Sequence, residues 1–225
     1  TFIARGEHLQ AIREHGLRVD SVKDDFVIQP TQATDNPAQV GVVDVVLVGV
    51  KAWQVSEAAQ AMRSLIGPET FVVPLQNGVE APSELAEVLG AQHVLGGLAR
   101  IISVKVGPGH IHHAGAEPCV AFGELDSRPS ERVERLRQAS EGAGVTVEIP
   151  LDIQVALWDK FLFVVSWGGM GAVTRAPIGV LHSVPETRQM LEQVMREILA
   201  VAQARKIALL DDAIRKTIAF VCFIA

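Results

Sequence analysis

The chain has 225 residues, 48% of them hydrophobic and 20% charged, with a formal net charge of −6 and a pI near 5.6. That length holds one large domain or two small ones around a buried core, and the acidic balance offers no basic surface for a phosphate backbone, which argues against nucleic acid as a partner. Cys119 and Cys222 stand far apart without CxxC or Cys/His spacing. A disulfide framework and a zinc site are therefore disfavoured, and a reducing cytoplasm fits best.

In chain order, Thr1-Phe2-Ile3-Ala4-Arg5-Gly6 reads as the second strand of a dinucleotide-binding fold whose first strand and glycine-rich loop are not in the chain. Its tip carries Arg5 and no carboxylate, which suits a ribose 2′-phosphate and so predicts NADP. The run from Val42 to Val50 is β-branched, as expected of a parallel strand covered on both faces, and should lie centrally in the sheet. A helix over 53–65, stopped by Gly67-Pro68, leads to the strand Thr70-Phe71-Val72-Val73-Pro74-Leu75 and the turn Gln76-Asn77-Gly78-Val79. A helix over 82–88 and a strand over 93–97 follow. Short antiparallel runs at 101–106, 110–113 and 119–122 surround Gly107-Pro108-Gly109, then a charged helix at 128–143 and a strand at 145–149 close the first part.

From about 151 to 221 the pattern is helix after helix. The fold class expected is α/β: an incomplete Rossmann-like doubly wound sheet over 1–149, followed by an all-α C-terminal domain over 150–225 for substrate and dimerisation. The longest apolar run, 161–173, is too short to span a bilayer and lies between Lys160 and Arg175, so it reads as a buried helix. No signal-peptide pattern opens the sequence. The stripe Leu191, Val194, Ile198 and Val201 packs within the helical part or contributes to a homodimer interface.

Several residues carry chemistry. Lys51 leaves the carboxyl end of a central strand, where open α/β sheets place ligands, and can meet a cofactor phosphate; it also reads as a solvated lysine at a helix start. Asn77 stands just past a strand end with an amide able to donate and accept, although Asn-Gly is equally a common turn dipeptide. Lys160 heads an apolar helix, surroundings that disfavour ammonium and bring a lysine toward a pKa useful for proton donation, unless its stem snorkels to water. His110, His112 and His113 invite a metal reading, but on a strand the third points away from the other two and no nearby Cys supports them. No metal is expected.

These strings resemble the ketopantoate reductase (2-dehydropantoate 2-reductase) family. The match runs through Phe2-Ile3-Ala4-Arg5-Gly6, Val50-Lys51-Ala52-Trp53-Gln54, Pro74-Leu75-Gln76-Asn77-Gly78-Val79, Pro108-Gly109, Trp158-Asp159-Lys160-Phe161 and Arg175-Ala176-Pro177-Ile178-Gly179, in order over nearly the whole chain. The resemblance implies NADPH-dependent reduction of a 2-keto acid in pantothenate biosynthesis. It implies that Arg5 holds the 2′-phosphate, that Lys51 and Gln54 flank the adenosine and phosphates, and that Asn77 lies by nicotinamide and substrate. The backbone near Val104 would also line the cofactor, and Lys160 would give the proton to the keto oxygen.

Departures from the family pattern bear on substrate. Asparagines expected four, eight and eighteen residues after the lysine are Val164, Gly168 and Ile178 here, which favours a more apolar 2-keto acid. Ser166, Thr174 and Arg175 are the substitutes on offer, with Arg175 as a carboxylate clamp or else a surface residue before the Ala176-Pro177 turn. The family's opening strand and GxGxxG loop, and a later stretch with a substrate serine and a glutamate, are not in the chain. Without that loop cofactor affinity should collapse, and loss of the central strand should leave two strand edges open and the sheet unstable alone. Three readings follow: a reductase whose working form is longer, a non-catalytic remnant held by its helices, or a reductase for a more apolar acid.

Overall fold

A computed structural model describes the backbone of residues 1–224 and the side chains of all but Ala116 and 221–224. Cys222 therefore lies outside the described side chains. Strand β1 (Phe2–Ile3) leads to α1 (Gly6–His15), β2 (Leu17–Ser21), β3 (Phe26–Ile28) and β4 (Ala33–Thr34). β5 (Val45–Val48), α2 (Val55–Ala61), β6 (Phe71–Pro74) and α3 (Ala81–Leu89) follow in βαβα order. Two long strands, β7 (Leu95–Gly107) and β8 (His110–Glu124), precede α4 (Glu131–Gly142) and β9 (Thr146–Glu148). The rest is helical: α5 (Ile153–Thr174), α6 (Ile178–Ser183), α7 (Pro185–Ala204) and α8 (Asp212–Ile224). Among the described residues no helix is long and apolar enough to cross a membrane.

The α/β part followed by an all-helical part is as expected, but the sheet is divided differently. β1 pairs in parallel with β4, β5 pairs in parallel with β6, and the remaining strands form a mixed sheet ordered β3-β2-β8-β7 with β9 on β8. β5 was expected at the centre; instead it is bonded on one side only, and Leu47 is 58% exposed. No other described strand lies along its second edge. The three short antiparallel runs are one long β7–β8 hairpin, because register shifts after Arg100 and Lys105 absorb the irregularity that breaks the alternation in sequence. The predicted helix over 53–65 is a 3-10 turn at Ala52–Gln54, then α2, then a second 3-10 turn at Met62–Leu65.

Two glycines fix how the layers meet. A Cβ on Gly97 would lie 2.6 Å from Val73 Cγ1 and 2.7 Å from the Pro74 carbonyl oxygen, and one on Gly96 would lie 2.6 Å from Ile153 Cγ1. β6 and α5 thus press on β7 from opposite sides, and only residues without a side chain leave room. The parallel bridge Val72–Val94 aligns β6 with the entry to β7.

α5 starts where the Asp152 carboxylate accepts from the N–H groups of Gln154 and Val155 at 2.8 and 3.3 Å. Its 22 residues are apolar nearly all round because it serves two cores. Ile153 and Leu157 pack with Leu98 and Ala121 of the sheet, while Trp158, Leu162, Trp167 and Met170 join Leu181, Leu191, Met195 and Ile198 among the helices. In the α7 stripe Leu191 and Ile198 are buried in that core, whereas Val201 is exposed.

Candidate active site

Lys160 lies on the side of α5 turned to β7, and its Nζ donates to the carbonyl oxygen of Ala99 at 2.5 Å. Burial, with the neighbouring Arg100 guanidinium as a second cause, lowers its pKa to about 8. An ammonium has three protons to offer and Ala99 takes one, so two remain for a ligand. Arg100 is itself paired with Glu148 at 2.5 Å.

Asn77 stands three residues beyond β6 and is exposed, in a turn where Gly78 adopts φ 117. Because Gly97 rests against Pro74 and Ala99 is two residues further along β7, the Asn77 turn and the Lys160 acceptor belong to the same corner of the molecule. Beside Asn77 is a residue that the sequence reading passed over. Both amide atoms of Gln76 are enclosed and find no hydrogen-bond partner among the described residues. Nothing in the sequence distinguishes Gln76 from an ordinary turn glutamine.

Arg5 is the N-cap of α1, and its Nη1 meets Glu57 Oε1 at 3.0 Å with both side chains about two-thirds exposed. Since Glu57 lies in the first turn of α2, this contact shows that the carboxyl ends of β1 and β5 open on the same side. Lys51, just past β5, is exposed on that rim, and the Gln54 side chain caps its backbone N–H at 3.2 Å. Arg5 thus meets, through Glu57, the helical stretch whose start Lys51 and Gln54 form. Val104 is further off on β7, exposed and opposite His112.

Two residues expected to touch substrate lie away from the Lys160 ammonium. Ser166 is fully buried, and its hydroxyl donates to the carbonyls of Leu162 and Phe163 at 2.6 and 3.2 Å, so it bonds back onto its own helix. Arg175 ends α5 in a left-handed conformation, φ 54, about 22 Å along the helix axis from Lys160 at 1.5 Å per residue. Neither is brought to the Lys160 ammonium. Thr174 likewise donates to Met170 at 2.7 Å. Val164, one turn after Lys160, is half-buried, Gly168 opens onto free space, and Ile178 packs against the helical core.

Of the histidines, His110 Nε2 meets Asp20 at 2.7 Å and His113 Nδ1 meets Ser21 Oγ at 2.9 Å. An open cleft of about 370 Å³ lies around α5 from Lys160, lined by Arg100, Val155, Asp159, Leu209 and Lys216 among others. It holds neither Asn77 nor Lys160, and the candidate site is placed by side-chain chemistry instead.

Residues 1–127 match the family model described as Ketopantoate reductase PanE/ApbA, and residues 152–224 match its C-terminal counterpart. The chain belongs to the ketopantoate reductase family. A 2-dehydropantoate 2-reductase of Halobacterium salinarum is 31% identical over 94% of this chain and 69% of its own length. The crystal structure of a 2-dehydropantoate 2-reductase from Porphyromonas gingivalis W83 superposes with a TM-score of 0.91 at 30% identity, covering 97% of this chain and 76% of that one. A D-mandelate dehydrogenase solved with NADH and anilino(oxo)acetate shares the fold, with a TM-score of 0.83 at 22% identity over 96% of this chain and 68% of that one. The chain spans about two thirds of the length of the curated relatives it matches.

Proposed function

We propose that the protein reduces a 2-keto acid of the 2-dehydropantoate type to its 2-hydroxy acid with NADPH, Lys160 giving the proton. The observation that carries this reading is the Lys160 ammonium, half-buried, with a pKa of about 8 and anchored by one hydrogen bond beside the Asn77 turn. Arg5 and Lys51, two cations on the rim formed by the ends of β1 and β5, fit a cofactor bearing phosphates. For Arg5 to take the 2′-phosphate, its guanidinium exchanges Glu57 for the phosphate; the exposure of this pair makes that exchange cheap.

When bound, NADPH supplies the hydride that reaches the keto carbon. Negative charge then gathers on the keto oxygen, where the Lys160 ammonium stabilises and neutralises it. Ala99 holds Nζ in place through this step, so no reorganisation of the amine is needed. At neutral pH a group with a pKa of about 8 is mostly protonated yet releases its proton more readily than an exposed lysine. Asn77 offers a donor and an acceptor to orient the acid and the nicotinamide amide.

A more apolar 2-keto acid is the second reading, favoured by Val164 and Gly168, which follow Lys160 by one and two turns and offer no polar side-chain atom. A panel tests both: the full-length protein is given 2-dehydropantoate and apolar 2-keto acids with NADPH or NADH, and oxidation of the reduced cofactor is followed. Turnover with NADPH in excess of NADH is expected, and preference for 2-dehydropantoate separates the first reading from the second. Absence of turnover with every acid would overturn both.

A further inference from the structure

The loop carrying Asn77 is fastened to the helical part at two neighbouring positions. Val79 packs with the cluster of Leu98, Ala121, Ile153 and Leu157 and also with the helical core that includes Trp158 and Leu162. One residue on, Glu80 forms an ion pair with Arg205, 125 positions away in sequence. The same Arg205 guanidinium lies over the Trp158 ring, 5.8 Å from its centroid. Trp158 is 4% exposed and precedes Lys160 by two residues on α5. A continuous set of contacts thus runs from the Asn77 turn through Glu80, Arg205 and Trp158 to the helix of Lys160.

Each charge suits its place without the other. Glu80 is the N-cap of α3 and Arg205 the C-cap of α7, so both complement a helix dipole. The pair is about half exposed on each side, which makes its Coulomb gain small and sensitive to salt. Its specificity is geometric: the planar guanidinium pairs with a carboxylate while lying on a buried indole, which a lysine ammonium does not reproduce. Such a contact does little for bulk stability and much for spacing.

We propose that Arg205 is a positioning residue: by bridging Glu80 to Trp158 it sets the distance between the Asn77 turn and Lys160, and with it the geometry in which the keto acid is reduced. This inference rests on the reductase reading above.

In the full-length protein, Arg205→Ala is expected to lower kcat about tenfold, as a sub-ångström to ångström misplacement of reacting groups does. The cofactor KM should change less than about threefold, because Arg5 and Lys51 hold their places at the other rim. Arg205→Lys should recover only part of the loss. Glu80→Gln should lower kcat as well, and the double variant should be no slower than Arg205→Ala alone, since both remove one link. Independently of turnover, hydrogen exchange of the amides at 76–80 should be faster in Arg205→Ala than in the unaltered protein. An unchanged kcat in Arg205→Ala, fully additive losses in the double variant, or unchanged exchange at 76–80 would each overturn the proposal. If the unaltered protein turns over no 2-keto acid, the reductase reading fails, and the exchange measurement alone decides whether Arg205 holds the loop.

Discussion

Gln76 and Asn77 are adjacent carboxamides with opposite surroundings: Asn77 faces solvent, while both polar atoms of Gln76 are enclosed without a partner among the described residues. A buried amide left unpaired costs about 1–3 kcal/mol. Gln76→Met keeps the length and removes the polar atoms, and is expected to raise stability by about 1 kcal/mol, read from the midpoint of urea unfolding. A fall of similar size would show that the amide is used within the folded chain. Lys160 shows the same physics in a titratable group. Its burial beside Arg100 lowers the pKa to about 8, the direction expected of a lysine at the head of a mostly apolar helix whose stem does not carry the ammonium out to water. The places of Ser166 and Arg175 follow from something that composition does not carry. Which face of α5 a residue occupies, and how far α5 runs without a break, decide whether a polar group reaches Lys160.

At the scale of elements, the packing of β7 between β6 and α5 depends on Gly96 and Gly97. Gly97→Ala would set a Cβ 2.7 Å from the Pro74 carbonyl oxygen and 2.6 Å from Val73 Cγ1, contacts that force backbone movement. A loss of about 1–3 kcal/mol on urea unfolding is expected, together with reduced turnover because β7 carries Ala99; stability equal to that of the unaltered chain would contradict this packing. The long strong elements were legible beforehand. α7 runs over Pro185–Ala204 as its apolar stripe indicated, and α3 and α4 differ from expectation by a few residues at their ends. β2 and β3 are another matter. They are five and three residues long and exist through pairing with each other and, for β2, with β8 some ninety residues later, which no local pattern announces. The β7–β8 hairpin was read as fragments because its register shifts interrupt the alternation of side chains.

For the whole molecule, the candidate site is assembled from distant stretches of chain: Arg5 near the start, Lys51 and Asn77 beyond two parallel strands, Ala99 on the mixed sheet, and Lys160 on the helix that joins the sheet to the helical core. The short motifs that propose these residues stand in order in the sequence, whereas their geometry is not legible there, since each link is a contact between segments far apart in sequence. The central claim concerns Lys160, and kcat/KM for reduction of a 2-keto acid by NADPH, measured against pH in the unaltered protein and in Lys160→Ala, tests it most directly. A proton donor with a pKa of about 8 is lost as pH rises through that value, so activity should be level at neutral pH and fall above about 8. Lys160→Ala should be slower by about 10²–10⁴-fold and should lack that fall. Equal turnover in the variant, or the same alkaline fall with Lys160 gone, would contradict the assignment.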